Sequence, residues 1–280
     1  MTGRRRGASL AEFVVAFTLA VLLVAAAAST LTGAERYMRR TAAASEARRV
    51  VREAETALLS ELRQASVDSL RLRGDTAVEY LGLVATSVAC TISGRAVVLP
   101  PASAVMSVPY SVWLGVPEAG DLVAAFDTTG AGGWRTAVVQ AASGRKDGAG
   151  CTPASGLLSS SDSSARTVST RLELDRVLGA GVVVGAPVRV LRRARFSLTR
   201  GSDRQWSLSY RRCDAAGACE ASQPVAGPLA GIGDSGLVFA RDASARGISI
   251  ALRTPRRGPA GPRESLMLFI ALRNRVANDR

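Results

Sequence analysis

Apolar positions are densest at the start of this chain. From Phe13 to Ala28 every residue except Thr18 is apolar. Residues 8–31 predict a helix of about two dozen residues, roughly 36 Å long at about 1.5 Å per residue. The hydrocarbon core of a bilayer is roughly 30 Å thick, so this helix is long enough to cross one. Arg4, Arg5 and Arg6 precede the segment, which predicts a cytoplasmic N terminus and an external remainder. Arg36, Arg39 and Arg40, just past the span, oppose that orientation, and Glu35 and Glu46 offset them only in part. Glu12 interrupts the apolar run. A carboxylate in a membrane helix costs about 2.5–3.5 kcal/mol at the centre and less toward an end. Glu12 is therefore expected either to meet a cation or to sit on the positive end of the helix dipole.

Past the span the pattern stays helical but becomes amphipathic. Val50, Val51, Ala54, Leu58, Leu59, Leu62 and Ala65 recur at helical spacing over 34–66, among charged residues. Glu35 with Arg39, and Glu46 with Arg49, sit one helical turn apart. One helix is expected from about residue 8 to about residue 66, with Gly33 its weak point. From about residue 78 the texture changes to short apolar runs broken by Gly, Pro, Ser and Asp, which predicts strands and hairpins. The candidates are 86–92, 95–99, 107–116, 122–127, 134–141, 167–174, 186–198, 205–212, 236–241, 247–253 and 265–273. The last six read as an antiparallel meander, with Gly201-Ser202-Asp203 turning between two of them. Residues 143–165 and 255–263 read as long loops. No internal repeat is visible. The expected class is α+β: a long N-terminal helix, half membrane-spanning and half soluble, packed on an antiparallel β-rich head.

The N-terminal residues resemble a known family. Arg6-Gly7, then Ala8-Ser9-Leu10-Ala11-Glu12, then the apolar run from Phe13, are similar to the type IV prepilin signature. That signature is a short basic leader ending in Gly, Glu at the fifth position after it, and an apolar helix. Ser9 and Leu10 match the family's usual residues; Ala8 stands where Phe or Met is common, and Ala11 where a bulkier aliphatic is usual. The resemblance implies that a prepilin peptidase cuts between Gly7 and Ala8 and methylates the new amine of Ala8. It implies that Glu12 docks against the positive amine of a neighbouring subunit, which offsets its desolvation. It also implies a domain plan of leader 1–7, transmembrane and filament-core helix 8–31, soluble helix 32–66 and periplasmic head 67–280. The implied partners are other pilin or pseudopilin subunits, prepilin peptidase, an inner-membrane assembly platform and the membrane itself. The protein would be held in the inner membrane before moving into a type IV pilus or a type II secretion pseudopilus. The chain's size, Gly120-Asp121-Leu122, Cys151-Thr152, the 186–212 hairpin and the ending Ala271-Leu272-Arg273-Asn274-Arg275 are similar to PilW-like minor pilins. Other readings of the N terminus stay open. Ala25–Ala28 before Ser29 suits a secretory cleavage site, the three arginines suit a twin-arginine signal, and the helix could be a plain anchor.

Composition removes several catalytic and metal-binding constellations. The 280 residues contain no histidine. A Ser-His-Asp triad, a Cys-His pair, an HExxH zinc helix and a Cys2His2 finger all need imidazole. Gly233-Asp234-Ser235-Gly236 copies a serine-protease nucleophile segment, but without a general base of that kind it reads as a turn. Gly179-Ala180-Gly181 with Gly185 misses dinucleotide-loop spacing by one residue. Asp162 is the only carboxylate in 159–164, too few for a calcium site. No catalytic constellation and no cofactor site are expected, and the protein does not read as an enzyme.

Cysteine and charge placement add two expectations. With residues beyond 31 outside the cytoplasm, Cys90, Cys151, Cys213 and Cys219 form a disulfide count. Four cysteines permit three pairings. Cys213 and Cys219 are close in sequence at a strand end, which favours pairing them and leaves Cys90 with Cys151. The net charge is +13, and residues 189–280 carry +10 of it. Arg189, Arg193 and Arg195 fall on one face of a strand, and Arg211 and Arg212 lie on the next. Such a face is a candidate for binding DNA or another anionic surface. The alternative function is accordingly an exported or membrane-anchored binding module using that basic sheet. An arginine-rich solvated face explains the same pattern without a ligand.

Overall fold

The computed structural model describes residues 10–65, 69–101, 111–129, 132–145, 151, 168–241, 247–256 and 263–272. Helix α1 runs unbroken over Leu10–Leu62, through Gly33, and so joins the apolar segment to the amphipathic one. It ends in a tighter turn: the N–H groups of Gln64 and Ala65 donate to the carbonyls of Glu61 and Leu62, three residues back. The contacts of the chain define two units. The smaller holds α1 as far as Arg49 and a segment ending at Glu264, and Arg48 pairs with Glu264 at 3.1 Å within it. The larger begins at Val50 and contains the strands.

The strands are β1 (Arg71–Leu72), β2 (Ala77–Val88), β3 (Thr91–Ser93), β4 (Ala96–Leu99), β5 (Val112–Trp113), β6 (Leu122–Asp127) and β7 (Gly133–Arg145). They continue as β8 (Ser169–Leu174), β9 (Pro187–Arg200), β10 (Trp206–Cys213), β11 (Gln223–Leu229), β12 (Leu237–Arg241), β13 (Gly247–Arg253) and β14 (Ser265–Ala271). All pairings are antiparallel. The long strand β9 organises the larger sheet. It pairs along one edge with β2; on the other, β6 takes its first half and β10 its second. From β6 the ladder passes through β7 and β8 to β4. It returns to the start because β4 pairs with β3, and Cys90, where β2 runs on toward β3, donates to the Val98 carbonyl.

That ring encloses one apolar core, with Val97, Leu99, Val123, Val139, Leu172, Val188 and Val190 turned inward. A second core lies where α1 meets the sheet. Val50, Ala54, Leu58 and Leu62, spaced four apart, pack with Val78, Tyr80, Phe196 and Leu208. The three-stranded sheet β12-β13-β14 closes this core with Leu237, Phe239, Ile248, Ile250 and Leu252. One face of β9 serves both cores: Val188 and Val190 enter the ring, and Ala194, Phe196 and Leu198 enter the helix core.

The α+β class with a long N-terminal helix is what the structure has. Four expectations need correction. The six last strand candidates do not form one meander: β8 joins β4 and β7, β9 and β10 pair as a hairpin within the larger sheet, and β12-β13-β14 form a separate meander. The strand expected at 86–92 begins at Ala77, because residues 78–80 are buried on both faces and show no alternation. Strand β11 was hidden by Pro224 and Pro228; it pairs only with β10, and an edge strand tolerates proline. Strand β7 continues to Arg145, into the stretch expected to open as a loop at 143. Of the 107–116 candidate only Val112–Trp113 is strand, and its residues 107–110, most of the loops 143–165 and 255–263, and the end from Arg273 lie outside the described residues.

Candidate functional site

Two regions carry chemistry that packing alone does not use. The first is the start of α1. Leu10, Phe13, Phe17, Leu22 and Leu23 are exposed, and the helix is long and apolar enough to cross a membrane. Its few hydroxyls are satisfied internally. Thr18, Ser29 and Thr30 donate to the carbonyls of Val15, Ala26 and Ala27, three residues back. This is how a polar side chain tolerates apolar surroundings. Glu12 lies in the first turn, where the helix dipole favours a carboxylate. Gly7 and Ala8, the expected cleavage and methylation positions, lie outside the described residues.

The second region is the face of the larger sheet turned away from the helix core. Odd-numbered residues of β9 and β10 point there: Arg193, Arg195, Ser197 and Thr199, with Ser207, Ser209 and Arg211 beside them. Ladder register places Arg71 opposite Glu79, Glu79 opposite Arg195, and Arg195 opposite Arg211. Glu79 is the counter-charge, with a side chain only 4% exposed. Arg195 donates to it at 3.0 Å and Arg73 at 3.2 Å, and Arg193 approaches to 3.7 Å. Burial pushes the Glu79 carboxyl up, but the hydrogen bonds and charges of Arg195 and Arg73 outweigh it and hold it below its ordinary value.

The remaining expected arginines sit elsewhere. Arg189 lies over the Trp134 ring, 4.6 Å from its centroid, a cation–π contact. Arg212 points to the other face and pairs with Glu118 at 3.2 Å. There it borders a cleft of about 280 Å³ lined by Asp121, Arg192, Asp214, Glu220 and the Cys213–Cys219 disulfide. The structure thus keeps Arg193, Arg195 and Arg211 together; Arg189 shares their face of β9 but lies at its other end, against Trp134, and Arg212 is on the opposite face. It adds Arg71, Arg73 and Glu79, which sequence reading passed over. Their alternation spans 71–79, but β1 has two residues, too few for a periodic signal.

Both disulfides lie in the larger unit. Cys90 joins Cys151, 61 residues apart, and packs with Val98; Cys213 joins Cys219, six residues apart. Disulfides of this kind persist in oxidising compartments. Gly233-Asp234-Ser235-Gly236 is a tight turn, with Ser235 left-handed at φ 50°. Among the described residues no group of three or more Cys, Asp or Glu is placed to hold a metal ion. No family model, curated protein or solved structure matches the chain.

Proposed function

We propose that this protein is a minor pilin or pseudopilin, a filament subunit rather than an enzyme. The observation that carries the reading is the continuity of α1. An exposed apolar segment with Glu12 in its first turn runs, without interruption, into the stripe Val50, Ala54, Leu58 and Leu62 that anchors the head. A subunit stored in a membrane and then moved into a filament needs one continuous element for both tasks. In this reading prepilin peptidase removes residues 1–7, the amine of Ala8 is methylated, and the helix holds the subunit in the inner membrane. Glu12 then pairs with the amine of a neighbouring subunit as the helix enters the filament core. The β-rich head lies on the periplasmic side and afterwards on the filament surface.

The test is the mass of the mature N-terminal peptide isolated from membranes. A peptide that begins at Ala8 and is heavier by one methyl group supports the reading. A peptide that begins near Ser29 marks ordinary export and removes the role given to Glu12. An intact N terminus marks a plain anchor.

A further inference from the structure

One row of the outer sheet face holds more positive charge and more donors than its carboxylate takes up. The row runs Arg71, Glu79, Arg195, Arg211 across β1, β2, β9 and β10. Glu79 engages Arg73 and Arg195. Beyond it, Arg195 Nε, Arg211 Nε and Ser222 Oγ are buried with no hydrogen-bond partner among the described residues. Ser222 directly precedes Gln223, the ladder partner of Tyr210, so it lies at the same stretch of β10 as Arg211. Like charges directly opposite each other on neighbouring strands destabilise a sheet, and buried donors without acceptors do so as well. Such orphaned groups call for an acceptor from outside the chain.

We propose that Arg195, Arg211 and Ser222 form a receptor for one carboxylate, the side chain of an Asp or Glu on a partner polypeptide. A guanidinium presents its donors in a planar fork that fits a carboxylate side-on. The same face already holds one carboxylate in this manner, Glu79 between Arg73 and Arg195. The near neighbours Ser197, Thr199 and Ser209 are neutral, and Arg193 is turned to Glu79. The arrangement suits a single anion. A polymer of phosphates is bound through a track of exposed cations, and here the unpartnered donors are buried. The receptor is independent of the pilin reading.

The experiment uses the full chain in nonionic micelles and a dye-labelled acetyl-Gly-Ser-Glu-Ser-Gly amide, followed by fluorescence anisotropy. The glutamate peptide binds, and its glutamine counterpart binds at least tenfold more weakly. Arg211→Gln weakens glutamate-peptide binding about tenfold or more, and Ser222→Ala about fivefold, as expected for a charged and a neutral hydrogen bond. Without peptide, Arg211→Gln melts at the same temperature as the parent or higher, because it relieves repulsion with Arg195. Four results would overturn the proposal: equal binding of the two peptides, parent-like binding by both variants, no binding at millimolar peptide, or binding of duplex DNA through Arg211 in place of the peptide. A lower melting temperature for Arg211→Gln would also overturn it, since it would mark a merely structural residue.

Discussion

Arg192 grips Asp121 side-on, with Nε 2.7 Å from Oδ1 and a terminal nitrogen 2.7 Å from Oδ2. The pair is nearly dry, with side chains 13% and 4% exposed. Arg192 also donates to the Val116 carbonyl, and Asp121 accepts from the Glu118 N–H. Its position on β9 gives the pair its role: Val190 before it enters the ring core, and Ala194 after it enters the helix core. The ion pair stands where one apolar core hands over to the other.

Breaking one partner of such a pair strands a buried charge and costs about 3–5 kcal/mol. Asp121→Ala and Arg192→Ala are each expected to lose that much. The double variant should lose less than their sum, because neither charge is then left alone. Denaturant unfolding of the four proteins measures it, and strict additivity would show that the two residues act separately.

Two glycines are held by close approach. A Cβ at Gly181 would overlap the Asp127 carboxylate, which accepts from Thr129 and Arg135, and a Cβ at Gly236 would overlap the Ala230 carbonyl. Gly236→Ala meets backbone and should be the worse of the two. Each is expected to cost about 1–3 kcal/mol or more, as overpacking does. Gly94→Ala, which meets nothing, serves as the comparison at a left-handed position, φ 58°. Thermal melting ranks the three; a milder effect at Gly236 than at Gly94 would contradict the geometry.

Acid should loosen the head. Hydrogen bonds from Thr129 and then Arg135 hold the Asp127 carboxyl below its ordinary value of 3.8. The Arg176 hydrogen bond does the same for Asp175, and Arg195 with Arg73 does so for Glu79, whose ordinary value is 4.5. A carboxyl depressed in the folded state stabilises it above the unfolded value, and the contribution is lost as pH falls through the folded value. Melting temperature is therefore expected to be flat from neutral pH to about 5 and then to drop steadily. Glu79→Gln should lower the neutral-pH melting temperature and shrink the acid-dependent drop. An unchanged drop would remove Glu79 from this account.

The two disulfides should contribute unequally. By chain entropy, closing the 61-residue separation stabilises by about 4 kcal/mol and the six-residue one by about 2 kcal/mol. Cys90→Ser with Cys151→Ser is expected to cost more than Cys213→Ser with Cys219→Ser in denaturant unfolding. The reverse order would show that native packing outweighs loop closure.

Glu12→Ala tests the proposed docking role apart from processing. The variant is expected to be cleaved and membrane-held like the parent but to fail to enter filaments, read as its loss from sheared surface filaments or cross-linked assemblies. Normal incorporation would refute the role. Glu12→Asp, which keeps the charge on a shorter stem, should restore part of the incorporation.

Local pattern determined a good deal of this protein. Sixteen consecutive positions from Phe13 to Ala28, apolar but for Thr18, and the stripe Val50, Ala54, Leu58 and Leu62 specify α1, because a helix repeats every 3.6 residues and each face can be read along the chain. Short-range spacing likewise singled out Cys213 with Cys219 and the turn at Gly201-Ser202-Asp203. Tertiary structure alone decided which strands meet. β9 and β6 pair across more than sixty residues, and no sequence periodicity records that register. The same holds for charge: the alternation on β9 put Arg193 and Arg195 on one face, but Glu79 reaches them only through the β2–β9 ladder. Arg192 reads as one more arginine in a basic run until Asp121, 71 residues earlier in the chain, is brought against it. Helices are written by neighbours in sequence, whereas sheets and buried ion pairs are written by neighbours in space.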